Sequence, residues 1–245
     1  MTQTAQVEVF ADSAGLVEAA RARLVDTLVA AQRDRGSASV VLTGGSNGIA
    51  LLTALRADSG ALDWSALDIY WGDERFVAAA DDERNAKQAF DALLDHVPVD
   101  PARVFEMAPS DGAFGDDIDA AALAYADTLF EQGDGAVPQF DVHLLGMGPE
   151  GHINSLFPHT PAVAETQKVV VSVSNSPKPP PQRITLTLPA VNRSHHVWFL
   201  VAGEDKAQAA AAGISGADEA DWPCAGAHGR ASTVWFLDEG AASAL

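Results

Sequence analysis

The chain has 245 residues, of which 47% are hydrophobic, and 34 acidic against 15 basic side chains give it a formal net charge of -19. This length suits one large α/β domain, and no linker, repeat or low-complexity tract divides residues 1–245, so the sequence predicts a single domain. The negative charge argues against a nucleic-acid partner and against an anionic membrane surface. An anionic substrate would therefore need a local basic pocket.

The cysteine content and the amino terminus bear on the compartment. A single cysteine, Cys224, excludes an internal disulfide, and the first residues lack the basic and apolar regions of a secretory signal. No apolar run approaches the roughly 20 residues that a membrane span needs. These features predict a cytoplasmic protein that does not associate with membranes.

Strands and helices alternate along the chain. Val7–Phe10 is predicted as the first strand, and Asp12 or Ser13 caps a helix that Gly36 ends. This alternation predicts an α/β fold, with a doubly wound, mostly parallel sheet and helices on both faces. The other predicted strands are Ala38–Leu42, Leu67–Trp71, Val104–Glu106, Val142–Leu145, Lys168–Val173, Arg183–Thr187, His196–Val201 and Thr233–Leu237, and the other predicted helices carry Ile49–Leu55, Asn85–Leu94, Ala120–Glu131, the alanine-rich segment after Lys206, and Glu239–Ala244.

A glycine and hydroxyl loop follows the second strand. Thr43, Gly44, Gly45 and Ser46 lie between that strand and a helix, a geometry that offers free backbone N–H groups to a phosphate. The loop is neither a P-loop, because the required lysine is absent, nor a dinucleotide-binding G-x-G-x-x-G. Phosphate binding and a simple strand-to-helix turn both remain open.

The stretch Phe140–Pro158 is the most informative part of the chain. A short buried strand runs into a loop with three glycines, and in open α/β sheets ligands bind at such strand ends. His152 lies two residues after Glu150, and a carboxylate can fix the tautomer of an imidazole and stabilise its imidazolium. His152 is therefore a candidate general base. The alternative is a hydrogen-bonded loop histidine without a catalytic role.

Four segments, in chain order, resemble the motifs of the 6-phosphogluconolactonases. The resemblance implies a fold similar to that of the glucosamine-6-phosphate deaminases. It also implies hydrolysis of the ring ester of 6-phosphogluconolactone, in the pentose phosphate pathway, with no required metal or other cofactor. The four segments are Leu42–Ser46; Trp71–Arg75 with Asn85 downstream; Phe140–Pro158; and Pro179–Thr185 followed by Gly203–Lys206.

The resemblance also implies roles for individual residues. His152 would be the general base and Glu150 its orienting partner. The phosphate of the substrate would be bound by Lys206 together with the amides and hydroxyl of the glycine loop, which are those of Gly44, Gly45 and Ser46.

Two arginines are the remaining cations at strand ends. Arg75 and Arg183 could each hold the phosphate or lie near the developing oxyanion, and the sequence does not separate these roles. Asp73 is expected to shape its loop and to hold Arg75. The alternative for each cation is a surface ion pair.

The chain departs from the family pattern at three places. Asn47 and Gly48 stand where the family has threonine and proline, and Glu150 replaces the usual aspartate. His143 occupies a strand position that is more often aliphatic, and we interpret it as structural.

Two other functions are compatible with this fold. An isomerase and deaminase of amino sugar phosphates would need an additional acid/base motif, which the sequence lacks. A non-catalytic sugar-phosphate sensor would need a DNA-binding segment, and neither the length nor the charge leaves room for one. The expected partner is a small sugar phosphate lactone, bound by a monomer or a small homo-oligomer.

Overall fold

The computed structural model describes residues 5–245. Most predicted elements are present within two residues of their expected bounds. The strands are β1 (Gln6–Phe10), β2 (Ala38–Leu42), β3 (Leu67–Trp71), β4 (Asp73–Arg75), β5 (Val104–Phe105), β6 (Val142–Leu145), β7 (Val170–Val173), β8 (Arg183–Leu186), β9 (His196–Val201) and β10 (Ser232–Asp238), and the helices are α1 (Ser13–Arg35), α2 (Gly45–Ala57), α3 (Asn85–Ala92), α4 (Ile118–Gln132), α5 (Leu188–Val191) and α6 (Ala207–Ser215).

Seven strands form one parallel sheet in the order β1-β10-β9-β6-β2-β3-β5. From β2 the chain moves outward to β3 and β5, whereas from β6 it moves the other way, to β9 and β10. The strand order therefore reverses between β2 and β6. In open parallel sheets, the crevice beyond such a reversal is where ligands bind, and both glycine-rich loops of the sequence follow these two strands.

The apolar side chains of the sheet divide between two cores. Val41 and Leu145 point into one cluster and Leu42 and Leu144 into the other, as the alternation of side chains along a strand requires. Helix α4 packs in the first cluster and helix α1 in the second. The prediction of a mostly parallel sheet with helices on both faces is confirmed.

Helix α1 begins and ends as its sequence predicts. The Asp12 carboxylate accepts a hydrogen bond from the Gly15 amide at 2.8 Å, which satisfies a free N–H of the first turn. Gly36 follows the last turn in the left-handed conformation, with φ at 82°, where a glycine has no steric cost.

A small antiparallel sheet was not predicted from the alternation of elements. It has the order β4-β8-β7 and lies outside the parallel sheet. The segment between β7 and β8 contains no helix, and a parallel connection needs a longer crossover, usually a helix. The predicted strands at Lys168–Val173 and Arg183–Thr187 therefore exist, but they belong to this second sheet.

The predicted helix at Glu239–Ala244 is wrong, because this segment forms only turns. A six-residue segment is too short to repay helix nucleation without tertiary support. The Asp238 carboxylate instead accepts hydrogen bonds from the amides of Ala241 and Gly203.

Among the helices of residues 5–245, none combines the length and apolar character needed to cross a bilayer.

Candidate active site

A pocket opens at the carboxyl ends of β2 and β6, where the strand order reverses. It brings together most of the predicted site residues from four separate segments of the chain. Glu150 lies just behind the lining, in contact with His152. The lining residues are Thr43, Gly44, Gly45, Asp73, Arg75, Asn85, Gly146, Met147, His152, Asn154 and Arg183.

His152 is held between a ring and a carboxylate. Its imidazole stacks on Phe157, with the ring centroids 4.5 Å apart and 23° between the planes. The Nδ1 atom lies 3.1 Å from Oε1 of Glu150, although the contact is not aligned as a hydrogen bond. The imidazole is 18% exposed. One edge of the ring can therefore meet a ligand while the other faces the carboxylate.

Glu150 is also paired with Lys178, which is not among the predicted site residues. The Lys178 ammonium lies 2.9 Å from both carboxylate oxygens, and it comes from the proline-rich loop between β7 and β8. The interaction with His152, with the further contribution of Lys178, lowers the pKa of Glu150 from 4.5 to about 2. Glu150 is thus ionised throughout the neutral range.

The absence of a side chain at Gly148 lets the loop lie close to His152 and Glu150. A Cβ atom at this position would lie 2.1 Å from Nδ1 of His152 and 2.6 Å from Oε2 of Glu150. Any side chain would displace the pair, so glycine is required by contact rather than by backbone conformation.

The first turn of α2 faces the same pocket. Gly44 is the cap residue and supplies no side-chain hydrogen bond to the first turn, so backbone N–H groups are available there. Gly45 adopts a φ of 80°. Asn47, which departs from the family pattern, donates to the Leu200 carbonyl at 3.1 Å and accepts from the Ser13 hydroxyl at 2.7 Å. Its side chain therefore fixes α2 against β9 and α1.

Asp73 is the centre of a buried polar cluster. Its Oδ2 accepts from the Ser155 hydroxyl at 2.6 Å, and its backbone carbonyl accepts from Nδ2 of Asn85 at 2.9 Å. Oδ1 of Asn85 is left without a hydrogen-bond partner among residues 5–245, and Asn85 lines the pocket. Asp73 thus shapes the site, while Ser155, with no measurable exposure, is a structural donor.

The two arginines differ in how many hydrogen bonds their guanidinium groups already donate to the protein. The Arg183 guanidinium donates to the carbonyls of Lys178, Pro179 and Pro180, at 3.0–3.1 Å. Burial lowers the pKa of Arg183. Arg75 donates from Nη1 to the Glu83 carbonyl, and its buried Nε has no partner in the described part of the chain. Oδ2 of Asp73 lies 3.9 Å from Nη1 of Arg183, so Asp73 is paired with Arg183 and not, as predicted, with Arg75.

Lys206 and Ser46 do not line the pocket. Lys206 ends a short 3₁₀ turn after β9, and its ammonium donates to the Ala202 carbonyl at 2.9 Å. Ser46 is exposed in the first turn of α2. Both lie beyond the carboxyl ends of strands in the parallel sheet, at the same edge as the pocket.

Two functional candidates were missed by reasoning from the sequence. Lys178 lies outside the segments that the sequence patterns indicate, and its contact with Glu150 spans 28 positions, so no local pattern reveals it. Asn154, two residues after His152, lines the pocket and is only 7% exposed. Its place in the glycine-rich loop was the available signal. As for metals, the described residues contain no group of three or more potential ligands placed to bind one.

Comparison with known proteins gives consistent results. The sequence matches the family model of the glucosamine-6-phosphate isomerases/6-phosphogluconolactonase over residues 11–235. It is 58% identical over 245 residues to a 6-phosphogluconolactonase of Mycobacterium tuberculosis, with 99% of each chain covered. The structure is similar to a 6-phosphogluconolactonase from Trypanosoma cruzi, with a TM-score of 0.83, 27% identity, and 100% and 98% of the two chains covered.

A second enzyme class shares the fold. A monomeric glucosamine-6-phosphate deaminase gives a TM-score of 0.78 with 20% identity, covering 98% of this chain and 100% of that one. At this identity the likeness extends to the fold alone.

Proposed function

The chain belongs to the glucosamine-6-phosphate isomerase/6-phosphogluconolactonase family, and we propose that it hydrolyses 6-phospho-D-glucono-1,5-lactone to 6-phospho-D-gluconate through a water molecule activated by His152. This reaction belongs to the pentose phosphate pathway. The observation that carries the hydrolysis is the 58% identity to a 6-phosphogluconolactonase over nearly all of both chains. The observation that supports the base is the placement of His152 in the pocket against an ionised carboxylate.

His152 acts on the water and then on the leaving group. The imidazole takes a proton as the water oxygen bonds to the lactone carbonyl carbon, which gives a tetrahedral oxyanion. As the bond from this carbon to the ring oxygen breaks, the imidazolium returns the proton to the departing alkoxide. The products are a carboxylic acid, which ionises, and a free hydroxyl, so the base is regenerated without a net proton change on the protein.

Glu150 stabilises the imidazolium in this cycle. Its carboxylate remains ionised because its pKa is about 2, and it lies 3.1 Å from the ring. Lys178, on the other side of the carboxylate, holds it in place and at the same time offsets part of its charge. Lys178 is thus a positioning residue for Glu150.

The phosphate of the substrate is assigned to the first turn of α2. The amides of Gly44, Gly45 and Ser46, with the Ser46 hydroxyl, face an anion at the positive end of the helix dipole, and this turn has no side-chain cap that would compete. Lys206 is the added point charge. It lies at the same edge of the sheet, and it has to release the Ala202 carbonyl to reach a ligand.

Arg75 is assigned to the developing oxyanion. Its buried Nε has no hydrogen-bond partner within residues 5–245, and a preorganised cation in a pocket stabilises charge that forms in the transition state. Arg183 is assigned to holding the proline-rich loop, because its guanidinium already donates to three carbonyls of this loop. Asp73 fixes Asn85 and Ser155 around the pocket and is not assigned to the reaction itself.

Domain organisation, compartment and oligomeric state complete the proposal. We treat residues 1–245 as one catalytic domain, and the pairing of the first described strand, β1, with the last, β10, supports this. Action in the cytoplasm, as a monomer or a small homo-oligomer without a cofactor, stays a prediction from the sequence.

A direct assay tests the hydrolysis. Freshly generated 6-phosphogluconolactone is added to the protein, its disappearance is followed, and the rate of spontaneous ring opening is subtracted. We expect catalysed opening of this lactone and no release of ammonia from glucosamine 6-phosphate. Release of ammonia, or a lactone decay no faster than the spontaneous one, would contradict the proposal.

A further inference from the structure

The side chain of Asn154 has unused hydrogen-bonding capacity inside the pocket. The residue is 7% exposed and lines the pocket. The amide Nδ2 makes no hydrogen bond to any of residues 5–245. A buried amide N–H without a partner is costly, so its retention indicates a partner that arrives with a ligand.

The backbone conformation of Asn154 does not account for the amide. Its φ is 47°, in the left-handed region, which asparagine tolerates better than most residues but glycine tolerates best. The conformation alone would be served by glycine. The side chain instead points inward, where a Cβ atom on Gly72 would lie 2.3 Å from Oδ1 of Asn154. Gly72 therefore leaves the space that the carboxamide occupies.

His143 lies on the inner side of this carboxamide. Its Nε2 would be 3.1 Å from the same added Cβ atom on Gly72, and its ring interacts with the Asn154 side chain. Complete burial lowers the pKa of His143 to about 3, so the imidazole is neutral. A neutral imidazole has one N–H to direct at the carboxamide oxygen. The amide N–H groups of Asn154 are then the ones left for the pocket.

We propose that Asn154 is a specificity-determining residue whose carboxamide hydrogen-bonds a ring hydroxyl of the sugar lactone, with His143 as its positioning residue. This inference rests on the proposed hydrolysis of a sugar lactone. The phosphate is already assigned to the first turn of α2 with Lys206, and the developing oxyanion to Arg75. A neutral amide is matched instead to the neutral hydroxyls, which those groups leave without specific donors.

The first variant tests the effect of the carboxamide separately from that of the backbone conformation. Asn154→Gly keeps the left-handed conformation and removes the carboxamide. We expect it to fold with an unchanged melting temperature or a higher one, and to lose about 3- to 10-fold in kcat/KM, which is the range for one neutral hydrogen bond. The matched control is Asp134→Gly, at another left-handed position, φ 52°, which is exposed and outside the pocket. The control should keep wild-type kcat/KM.

Deoxy substrates identify the hydroxyl. Wild-type protein should lose about 3- to 10-fold in kcat/KM on one of the monodeoxy 6-phosphogluconolactones, and Asn154→Gly should show no such loss on that analogue. His143→Leu should give a smaller loss on the parent lactone, and none when added to Asn154→Gly, because it acts only through the amide.

Several outcomes would overturn the inference. Asn154→Gly could match wild-type kcat/KM, it could lose the same factor on every deoxy analogue, or His143→Leu could add its full loss to the double variant. If wild-type protein does not turn over the lactone at all, the proposed hydrolysis fails instead. In that event, calorimetric binding of 6-phosphogluconate still tests the contact, since Asn154→Gly should bind it more weakly.

Discussion

Replacing Lys178 by methionine should lower kcat/KM for the lactone. Lys178 lies 2.9 Å from the carboxylate of Glu150 and holds this carboxylate beside His152. Methionine keeps much of the length of the side chain and removes the charge. The carboxylate is then held less firmly beside the imidazole.

The expected loss follows from the exposure of the pair. The side chains of Lys178 and Glu150 are 41% and 32% exposed, so solvent screens their interaction, which falls in the range of about 0.2–1 kcal/mol for surface ion pairs. Since about 1.36 kcal/mol corresponds to a tenfold change in rate, kcat/KM should fall by about 1.4- to 5-fold.

The assay is kcat/KM for the lactone at fixed pH and constant ionic strength, with spontaneous opening subtracted. Lys168→Met is the matched control, because it removes the same charge from an exposed residue outside the pocket. It should keep wild-type kcat/KM. A folded Lys178→Met protein with wild-type kcat/KM would refute the reasoning that Lys178 positions Glu150.

Three further changes test separate parts of the site. Glu150→Gln should cost stability above about pH 4.5, and the deficit should vanish as the pH falls toward 2, because the depressed pKa of Glu150 makes its ionised form stabilising only above that range; urea unfolding at several pH values measures this, and a constant deficit would contradict it. Lys206→Ala should raise KM several-fold for the phosphorylated lactone and leave the rate with unphosphorylated gluconolactone unchanged, whereas equal damage to both would remove Lys206 from phosphate binding. Ser155→Ala should lower the free energy of unfolding by about 1–3 kcal/mol, because the buried Asp73 loses its hydroxyl donor; an unchanged unfolding midpoint would refute that role.

The parts of the fold that depend on local sequence could be predicted. Asp12 and Gly36 give the ends of α1, and the loops after β2 and β6 follow from short apolar runs that end in glycines. The position of these loops beside each other follows from the reversal of strand order, a general property of open parallel sheets. His152 and the glycine loop were identified from such patterns together with the family resemblance.

The parts that depend on distant contacts could not be predicted. The bond between Ser155 and Asp73 joins positions 82 residues apart, and the contact between Lys178 and Glu150 joins two loops. The antiparallel sheet could not be predicted for the same reason, since β4 pairs with β8 across more than a hundred residues. Alternation along a single segment contains no information on such pairings.

The measurement that tests the account most directly is kcat for His152→Ala. A general base acts in the transition state, so kcat should fall by about 10²- to 10⁴-fold while KM stays within a few-fold of wild type. Circular dichroism and the melting temperature should confirm that the variant is folded, and the rate should be compared with spontaneous opening at the same pH. A folded His152→Ala protein that retains more than half of the wild-type kcat would contradict the central claim that this imidazole activates the water.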